Sequence, residues 1–275
     1  MKTKIGILGL GGVGGYFGGL LAKAYFDSDA IEIVFIARGD TKKAIAENGL
    51  KIILDDSEMI VFPKLLSDDP EKIGKLDYLI CATKTYDIET SLESIKNSIT
   101  SKTTLLPLYN GVDATERLLK LFPENNVLQG CVYIVSMITS PGVIRKIGPY
   151  EKLYFGSKNI SDTTAKELQT IFEKAKIESY LVPNIEETVW EKFIFISALA
   201  SVTSYLHEHI GGILNNPDNK ALCISLINEI TAVAFAKGLV LPNTIVPQTI
   251  IKLEKSPQGS TSSMHRDFLA GNKTE

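Results

Sequence analysis

Near its start the chain runs from a short apolar segment directly into a glycine-rich turn, and this feature constrains the fold most. Residues 4–8 read as a β-strand, and Gly9, Gly11 and Gly14 follow in the pattern Gly-x-Gly-x-x-Gly. The first glycine permits a tight turn, the second lets a phosphate approach the backbone, and the third lets the next helix pack closely. Free N–H groups at the start of that helix favour negative charge. The pattern predicts a dinucleotide site in a Rossmann-type α/β domain.

The end of the second predicted strand indicates which dinucleotide binds. Residues 31–37 form an apolar run that ends at Arg38. Sites for NAD, FAD and S-adenosylmethionine usually place a carboxylate at this point, whereas a guanidinium matches a 2′-phosphate in charge and geometry. We therefore expect NADP(H) as the cofactor. The alternative for Arg38 is a solvated arginine at a strand end.

Composition and charge argue against several other classes of protein. The many early glycines would make a poor signal-peptide helix, although Lys2 and Lys4 precede an apolar stretch. No other stretch approaches the uninterrupted apolar length of a transmembrane helix, so we expect a cytoplasmic protein. The formal net charge of −3 gives no general attraction to nucleic acid or anionic membranes. The three cysteines follow neither a metal nor a disulfide pattern, so we expect reduced thiols in the core.

Two further polar residues follow predicted parallel strands. Residues 78–82 and 103–108 read as strands, and Lys84 and Asn110 come shortly after them. Because the carboxyl ends of parallel strands share one edge of a doubly wound sheet, both side chains are expected near the glycine turn and Arg38. A solvated lysine and an ordinary Asn-Gly turn are the alternatives.

Local signals describe the remainder of the first domain. Asp113 and Glu116 resemble a capping box that opens a helix. Residues 127–155 are rich in β-forming side chains, and Pro141-Gly142 and Gly148-Pro149 predict turns between short strands.

The sequence pattern changes at Pro183-Asn184, which marks the boundary between two predicted domains. The residues that follow it have helical patterns. The sequence therefore predicts a Rossmann-type NADP-binding domain at residues 1–183 and an all-helical domain at residues 184–275.

A set of short motifs, spread over the whole chain, resembles one family. The motifs resemble the ketopantoate reductases (2-dehydropantoate 2-reductases), which join a Rossmann domain to a helical domain and reduce a 2-keto acid with NADPH. Each motif is short, but their order and spacing together are specific. In that family another helix or two would follow, so we expect a chain that is trimmed or naturally short. The matching pieces are Gly9 to Gly14, Arg38, Thr83-Lys84, Asn110-Gly111, Trp190-Glu191-Lys192, Ser262-Ser263-Met264 and Thr274-Glu275.

The resemblance implies a role for each matching residue. Lys192 would be the proton donor, while Ser263 and Asn110 would contact the substrate. Glu275 would be a polar partner of the cofactor ribose or of the lysine. Arg38 and Lys84 would contact the adenosine 2′-phosphate end, and Ser136 and Asn110 would lie along the nicotinamide half. The implied cofactor-binding residues are Gly9, Leu10, Gly11, Gly12, Val13, Gly14, Arg38, Lys84, Asn110, Ser136 and Glu275, without a metal.

The residue type at position 192 suits this chemistry. Hydride addition to a carbonyl leaves an oxyanion, which an ammonium stabilises and then protonates. Ile196 and Ala200 continue the same helical face and form an apolar wall. We expect this wall to lower the pKa of Lys192. Without the resemblance, an exposed lysine paired with a neighbouring glutamate is the favoured interpretation.

Three positions depart from the family pattern and put its substrate in doubt. Asparagines of the family are replaced by Ile196, Ala200 and Ile210, so polar contacts to the substrate are lost. The true substrate is then a more apolar 2-keto acid, or other side chains supply the contacts. The candidates for such contacts are Thr203, Ser204, His207 and His209. The spacing of His207 and His209 argues against a metal, because residues two apart do not share a helical face.

The leading hypothesis is reduction of a 2-keto acid with NADPH, resembling the conversion of 2-dehydropantoate to pantoate in pantothenate biosynthesis. A nicotinamide-binding sensor that has lost turnover is the alternative. For partners, we expect a small-molecule substrate, no nucleic acid, no membrane, and a monomer or homodimer.

Overall fold

The computed structural model describes residues 2–157 and 162–275. The chain divides into two compact units, Met1–Ile185 and Glu186–Glu275. Among the described residues, all strands lie in the first unit and the second unit is helical. This confirms the predicted class, a Rossmann-type α/β region followed by a helical region.

The first unit contains two sheets. In chain order the strands are β1 Thr3–Leu8, β2 Ile31–Ile36, β3 Leu50–Ile53, β4 Glu58–Val61, β5 Leu65–Leu66, β6 Tyr78–Cys81, β7 Thr104–Pro107, β8 Gln129–Ser140, β9 Val143–Gly156 and β10 Ser179–Leu181. The first sheet is parallel throughout and has the order β5-β2-β1-β6-β7. The second sheet has the order β10-β9-β3-β4, and β8 pairs antiparallel with β9.

Helices connect the strands and then continue alone to the end of the chain. Those of the sheet-containing part are α1 Gly12–Ala24, α2 Gly39–Asn48, α3 Pro70–Ile73, α4 Ile88–Ser94, α5 Ala114–Leu121 and α6 Thr163–Lys174. Those that follow are α7 Ile185–Leu206, α8 Ile210–Asn215, α9 Pro217–Ala236, α10 Ile245–Glu254 and α11 Ser263–Leu269.

Helix α1 packs between the two sheets, and its small residues allow this. A Cβ at Gly18 would lie 2.9 Å from Cγ2 of Ile7 in β1. On another side of the helix, a Cβ at Gly15 would lie 2.8 Å from Cγ1 of Ile144 in β9. Because both faces of α1 approach a strand closely, the start of the helix is held between the parallel sheet and the β8–β9 pair.

The parallel sheet is buried on both faces. In β2, Ile33 and Phe35 join the cluster that contains α1, whereas Val34 and Ile36 join the cluster on the opposite face with α4 and α5. This pattern explains the continuous apolar runs in the sequence, because neither face of such a strand meets water.

The β-rich region forms two long strands where the sequence predicts several short ones. The predicted turn at Pro141-Gly142 connects β8 to β9, but Gly148-Pro149 lies inside β9. Pairing with β8 continues on both sides of that dipeptide, with Ser136 opposite Lys146 and Ile134 opposite Glu151. The glycine and proline therefore accommodate a bulge and do not end the strand.

The predicted capping box is right about where α5 begins, since Asp113 is its N-cap residue, but wrong about the capping hydrogen bond. Asp113 has φ −99° and ψ −11°, and its side chain makes no capping hydrogen bond. A capping side chain needs an extended backbone at this position in order to reach the N–H groups of the first turn. The carboxylate of Asp113 instead lies 3.6 Å from Nη1 of Arg117.

A true cap occurs at the start of α6 and supports a prediction about stability. Asp162 accepts hydrogen bonds from the backbone N–H groups of Thr164 and Ala165, at 2.9 and 3.1 Å. Burial alone would raise the pKa of Asp162, but hydrogen bonds from Thr164 and Asn126 outweigh it and lower the pKa. We expect Asp162→Ala to reduce the free energy of unfolding by about 1–2 kcal/mol at pH 7.

The difference in the free energy of unfolding between wild type and Asp162→Ala should shrink as pH falls through the lowered native pKa of Asp162. The folded state favours the ionised carboxylate, and protonation removes this contribution to stability. Urea titrations at pH 7 and at acidic pH measure both values. Asp56→Ala, at an exposed turn position, is the control. A loss that stays constant down to the lowest pH would contradict the assignment.

One helix of the described residues, α9, is long and apolar enough to cross a membrane by length and composition alone. A helix of a purely helical unit can pass the same test, and α9 contacts α8 and α10. This single helix is weak evidence for a membrane span.

Candidate active site

The glycine turn after β1 has the shape of an anion cradle. Gly9 has φ +90°, and a Cβ there would lie 2.8 Å from the backbone nitrogen of Thr83. A Cβ at Gly14 would overlap the carbonyl oxygen of Gly9, so the helix can follow the turn only with glycine at that position. Gly11 differs, because its Cβ position has no atom within 4 Å. The turn is therefore rigid on its inner side and open on the side that a phosphate would approach.

The first turn of α1 offers donors to that open side. Gly11 is the N-cap of α1 and provides no side chain for capping. Leu10 is buried and Val13 is half-buried, so the two non-glycine residues of the motif anchor the turn. The first N–H groups of a helix have no partner within it, so they match the needs of a pyrophosphate.

Ser136 contacts this same turn from β8. A Cβ at Gly12 would lie 2.5 Å from the carbonyl oxygen of Ser136 and 2.9 Å from its Oγ. The Ser136 Oγ is buried and has no hydrogen-bond partner within the described residues. A buried hydroxyl without a partner is costly. Ser136 thus presents an unused polar group beside the start of α1.

Arg38 lies at the carboxyl end of β2, which is the neighbour of β1 in the sheet. It is exposed and occupies the N-cap position of α2 without capping that helix through its side chain. The guanidinium is therefore available at the sheet edge where the glycine turn also begins.

A hydrogen bond joins the loops that carry Lys84 and Asn110. Oγ1 of Thr83, after β6, lies 3.1 Å from the hydroxyl of Tyr109, after β7. Lys84 is half-buried next to this contact, and Asn110 is exposed. The carboxyl ends of β6 and β7 thus hold both predicted residues in adjacent loops.

In the helical unit, Lys192 is buried. Its residue exposure is 8%, which excludes the exposed surface lysine that the sequence alone favoured. Ile196 and Ala200, one and two turns further along α7, are half-buried. Trp190 is buried and packs edge-on against Phe193, with ring centroids 5.6 Å apart. Lys192 is therefore followed along its face of α7 by apolar side chains.

The start of α11 is attached to α7. Ser262 caps α11 by accepting a hydrogen bond from the His265 backbone N–H, and its Oγ lies 3.4 Å from Oγ1 of Thr203. Ser263, the next residue, is exposed, as is Glu275. The cap fixes the position of Ser263 relative to α7.

The polar residues proposed to replace the family asparagines differ in burial and in whether their polar atoms already have hydrogen-bond partners. Thr203 is fully buried and already donates to the carbonyl of Leu199 at 2.7 Å. Ser204 is buried, and its Oγ has no partner within the described residues. His207 and His209 are exposed. Ser204 is therefore the strongest of these candidates.

The third replaced position, Ile210, follows the two histidines that were considered as metal ligands. Ile210 is completely buried and belongs to the core of the helical unit. No group of three or more metal-ligating side chains occurs in the described parts of the chain.

A partly buried charged cluster beside α1 has no counterpart among the residues singled out from the sequence. The Tyr16 hydroxyl donates to Oε2 of Glu151 at 2.6 Å, and Lys146 Nζ lies 2.9 Å from the same oxygen. Burial and the neighbouring carboxylate raise the pKa of Tyr16. Burial would raise the pKa of Glu151, but Tyr16 and Lys146 lower it overall. A tyrosine in the glycine-rich helix was the only local signal for this cluster.

Comparison with known proteins assigns the family. The model of "Ketopantoate reductase PanE/ApbA" matches residues 5–159, and the model of its C-terminal domain matches residues 184–275. The chain belongs to the ketopantoate reductase family. This confirms the resemblance drawn from the motifs.

Individual relatives agree with the assignment. The crystal structure of 2-dehydropantoate 2-reductase from Porphyromonas gingivalis is 34% identical, with a TM-score of 0.87, and the match covers 93% of this chain and 90% of that one. The 2-dehydropantoate 2-reductase of Pyrococcus abyssi is 27% identical over 99% of this chain and 87% of its own length. An uncharacterized oxidoreductase of Bacillus subtilis, YkpB, is 28% identical over 99% of this chain and 88% of its own. Membership of this family supports an oxidoreductase that acts on a 2-keto acid.

Proposed function

We propose that this ketopantoate reductase family member reduces a 2-keto acid to a 2-hydroxy acid with NADPH. The observation that carries the proposal is the burial of Lys192 on α7. Lysine is rarely buried in proteins, because burial removes its charge from water. A buried ammonium at the position of the family's proton donor supports turnover and argues against a sensor that only binds the cofactor.

Residues of the first unit, together with Glu275, would hold the cofactor. The open glycine turn and the start of α1 suit the pyrophosphate, while Arg38 and Lys84 supply positive charge for the 2′-phosphate end. Ser136 and Asn110 would contact the nicotinamide half, and Glu275 would contact the ribose or Lys192. When bound, the reduced nicotinamide supplies the hydride.

The residues of the chain supply the acid catalysis. In this proposal Lys192 donates a hydrogen bond to the keto oxygen of the substrate and then transfers a proton to it. The Ser263 hydroxyl and the Asn110 amide orient the substrate. The apolar side chains of Ile196 and Ala200 exclude water from the ammonium, which strengthens its interaction with the developing negative charge.

The same apolar side chains bear on substrate identity. A site built to hydrogen-bond a substrate hydroxyl rejects analogues without it by about 10⁴- to 10⁵-fold, whereas an apolar pocket discriminates weakly. With Ile196 and Ala200 on the wall and Ser204 as the remaining polar candidate, we propose a 2-keto acid whose side chain need not carry a hydroxyl. 2-Dehydropantoate is the second candidate, favoured by the relatives that reduce it by name.

Two substrates that differ by one hydroxyl test this proposal. Oxidation of NADPH is followed by absorbance with 2-dehydropantoate and with 3,3-dimethyl-2-oxobutanoate, which lacks only the hydroxyl. We expect both to be reduced, with kcat/KM values within about tenfold of each other. A ratio above about 10³ in favour of 2-dehydropantoate would assign that compound as the substrate. NADPH binding without turnover of either would contradict the reductase and support a sensor.

We further propose a cytoplasmic protein that binds small molecules and exists as a monomer or homodimer. Light scattering during size-exclusion chromatography determines the oligomeric state.

A further inference from the structure

The pairing of β8 with β9 is interrupted next to Ser136. Ile134 pairs with Glu151 and Ser136 pairs with Lys146, so Val135 alone stands opposite residues 147–150. Gly148 has φ +71°, and its N–H donates to Oδ2 of Asp55 at 2.9 Å. The extra residues 147–150 therefore bulge out of the ladder as a loop within β9, and Lys146 and Glu151 lie at its two ends.

An ion pair closes the base of this loop. Nζ of Lys146 lies 2.9 Å from Oε2 of Glu151, and the Lys146 side chain is only 11% exposed. Tyr16 donates its hydroxyl to the same carboxylate oxygen at 2.6 Å. Tyr16 lies on α1, one turn after Gly12, so the cluster connects the loop ends to the helix that begins at the glycine turn. The shared carboxylate oxygen therefore ties the three side chains together, with Lys146 largely shielded from water and Glu151 partly exposed.

The cluster and Ser136 lie on the same face of the β8–β9 pair. Residues directly opposite in an antiparallel pair point to the same face, so Lys146 and Ser136 both face α1. The side chains of the cluster are hydrogen-bonded to one another, whereas the Ser136 Oγ has no partner within the described residues. The network thus fixes the backbone around one hydroxyl and leaves that hydroxyl for another molecule.

We propose that Tyr16, Lys146 and Glu151 are positioning residues that hold Ser136 against Gly12 for the nicotinamide half of the cofactor. This inference rests on the proposed function. The group that Ser136 receives is a neutral polar one, such as a carboxamide or a ribose hydroxyl, because its hydroxyl both donates and accepts. The three residues act through Ser136 and do not themselves take part in the reaction.

Two ligands that differ in the nicotinamide half test the inference by binding alone. NADPH contains this half, whereas 2′-phospho-ADP-ribose keeps the pyrophosphate and the 2′-phosphate without it. For Tyr16→Phe we expect the Kd of NADPH to rise about tenfold, the scale of one hydrogen bond to a charged group. The Kd of 2′-phospho-ADP-ribose should stay within about twofold, because the glycine turn is unchanged. Fluorescence and calorimetric titrations measure the two constants.

The second sheet contains a matched control. The Tyr180 hydroxyl donates to Oε1 of Glu178 at 2.6 Å, and Lys152 Nζ lies 3.4 Å from that oxygen. The three residue types are the same, but this cluster is on the surface. Tyr180→Phe should leave the Kd of both ligands unchanged.

Two further variants guard against a simple loss of folding. Glu151→Gln keeps the shape of the side chain but removes its charge, and should give the same selective loss of NADPH binding. Lys146→Arg keeps the ion pair and should remain close to wild type. Thermal unfolding of each variant shows that the fold is retained.

The outcomes separate the inference from the proposed function. Equal weakening of both ligands, or no weakening of either, would overturn the positioning role while leaving NADPH as cofactor. Failure of the wild-type protein to bind either ligand would overturn the cofactor proposal and with it this inference.

Discussion

Replacing Lys192 is expected to lower kcat for 2-keto acid reduction by about 10²- to 10⁴-fold, the range attributed to general acid catalysis. Lys192→Met removes the ammonium but keeps most of the side-chain volume, which matters because the position is buried. Lys192→Ala should show the same loss. The Kd of NADPH should remain near the wild-type value for both variants, since the proposed role concerns the substrate oxygen.

The measurement pairs NADPH absorbance during turnover with a fluorescence titration of NADPH binding. Lys252→Met, at an exposed position of α10, is the matched control and should keep wild-type activity. Turnover at the wild-type rate by either Lys192 variant would remove the lysine from the mechanism.

The second large effect is expected for Arg38→Ala and concerns cofactor choice. A charge-assisted hydrogen bond contributes about 1.5–3 kcal/mol, so loss of the guanidinium should raise the Kd of NADPH by roughly 10- to 10²-fold. NADH lacks the 2′-phosphate, and its Kd should change less than about twofold. The expected selectivity follows from the position of Arg38 at the carboxyl end of β2.

Titrations of both nucleotides against wild type and variant give the comparison. Lys120→Ala, at an exposed position of α5, controls for a general loss of positive charge. If NADPH and NADH weakened equally, Arg38 would not be recognising the 2′-phosphate.

The local part of the nucleotide site could be predicted because its signals are contiguous in sequence. A strand, the Gly9 to Gly14 turn and the following helix lie within 24 residues of the start. The positive φ of Gly9 and the overlap that a side chain at Gly14 would cause are consequences of that short geometry. Likewise, the continuous apolar run at residues 78–82 is typical of a parallel strand buried on both faces, and the side chains of β6 join the clusters on both faces of the sheet.

Local structure that depends on contacts with distant residues was predicted less well. Gly148-Pro149 has the composition of a turn, but pairing with β8 on both sides keeps it inside β9. Asp113 and Glu116 have capping-box spacing, but the backbone at Asp113 is not extended. In both cases the residue types permit more than one conformation, and contacts elsewhere in the unit select one.

By itself the sequence determined the Rossmann-type and helical classes and the family, because hydrophobic periodicity and the order of short motifs are properties of the linear chain. The apolar positions 196 and 200 indicated a shielded Lys192 but left an exposed lysine as the alternative, and nothing in the sequence indicated that Tyr16 reaches Glu151 across a separation of 135 residues. Those facts depend on which surfaces of helices and strands come together, and on the register of β8 against β9. Only the tertiary structure decides them, because burial and hydrogen bonding between distant residues are set by packing in three dimensions.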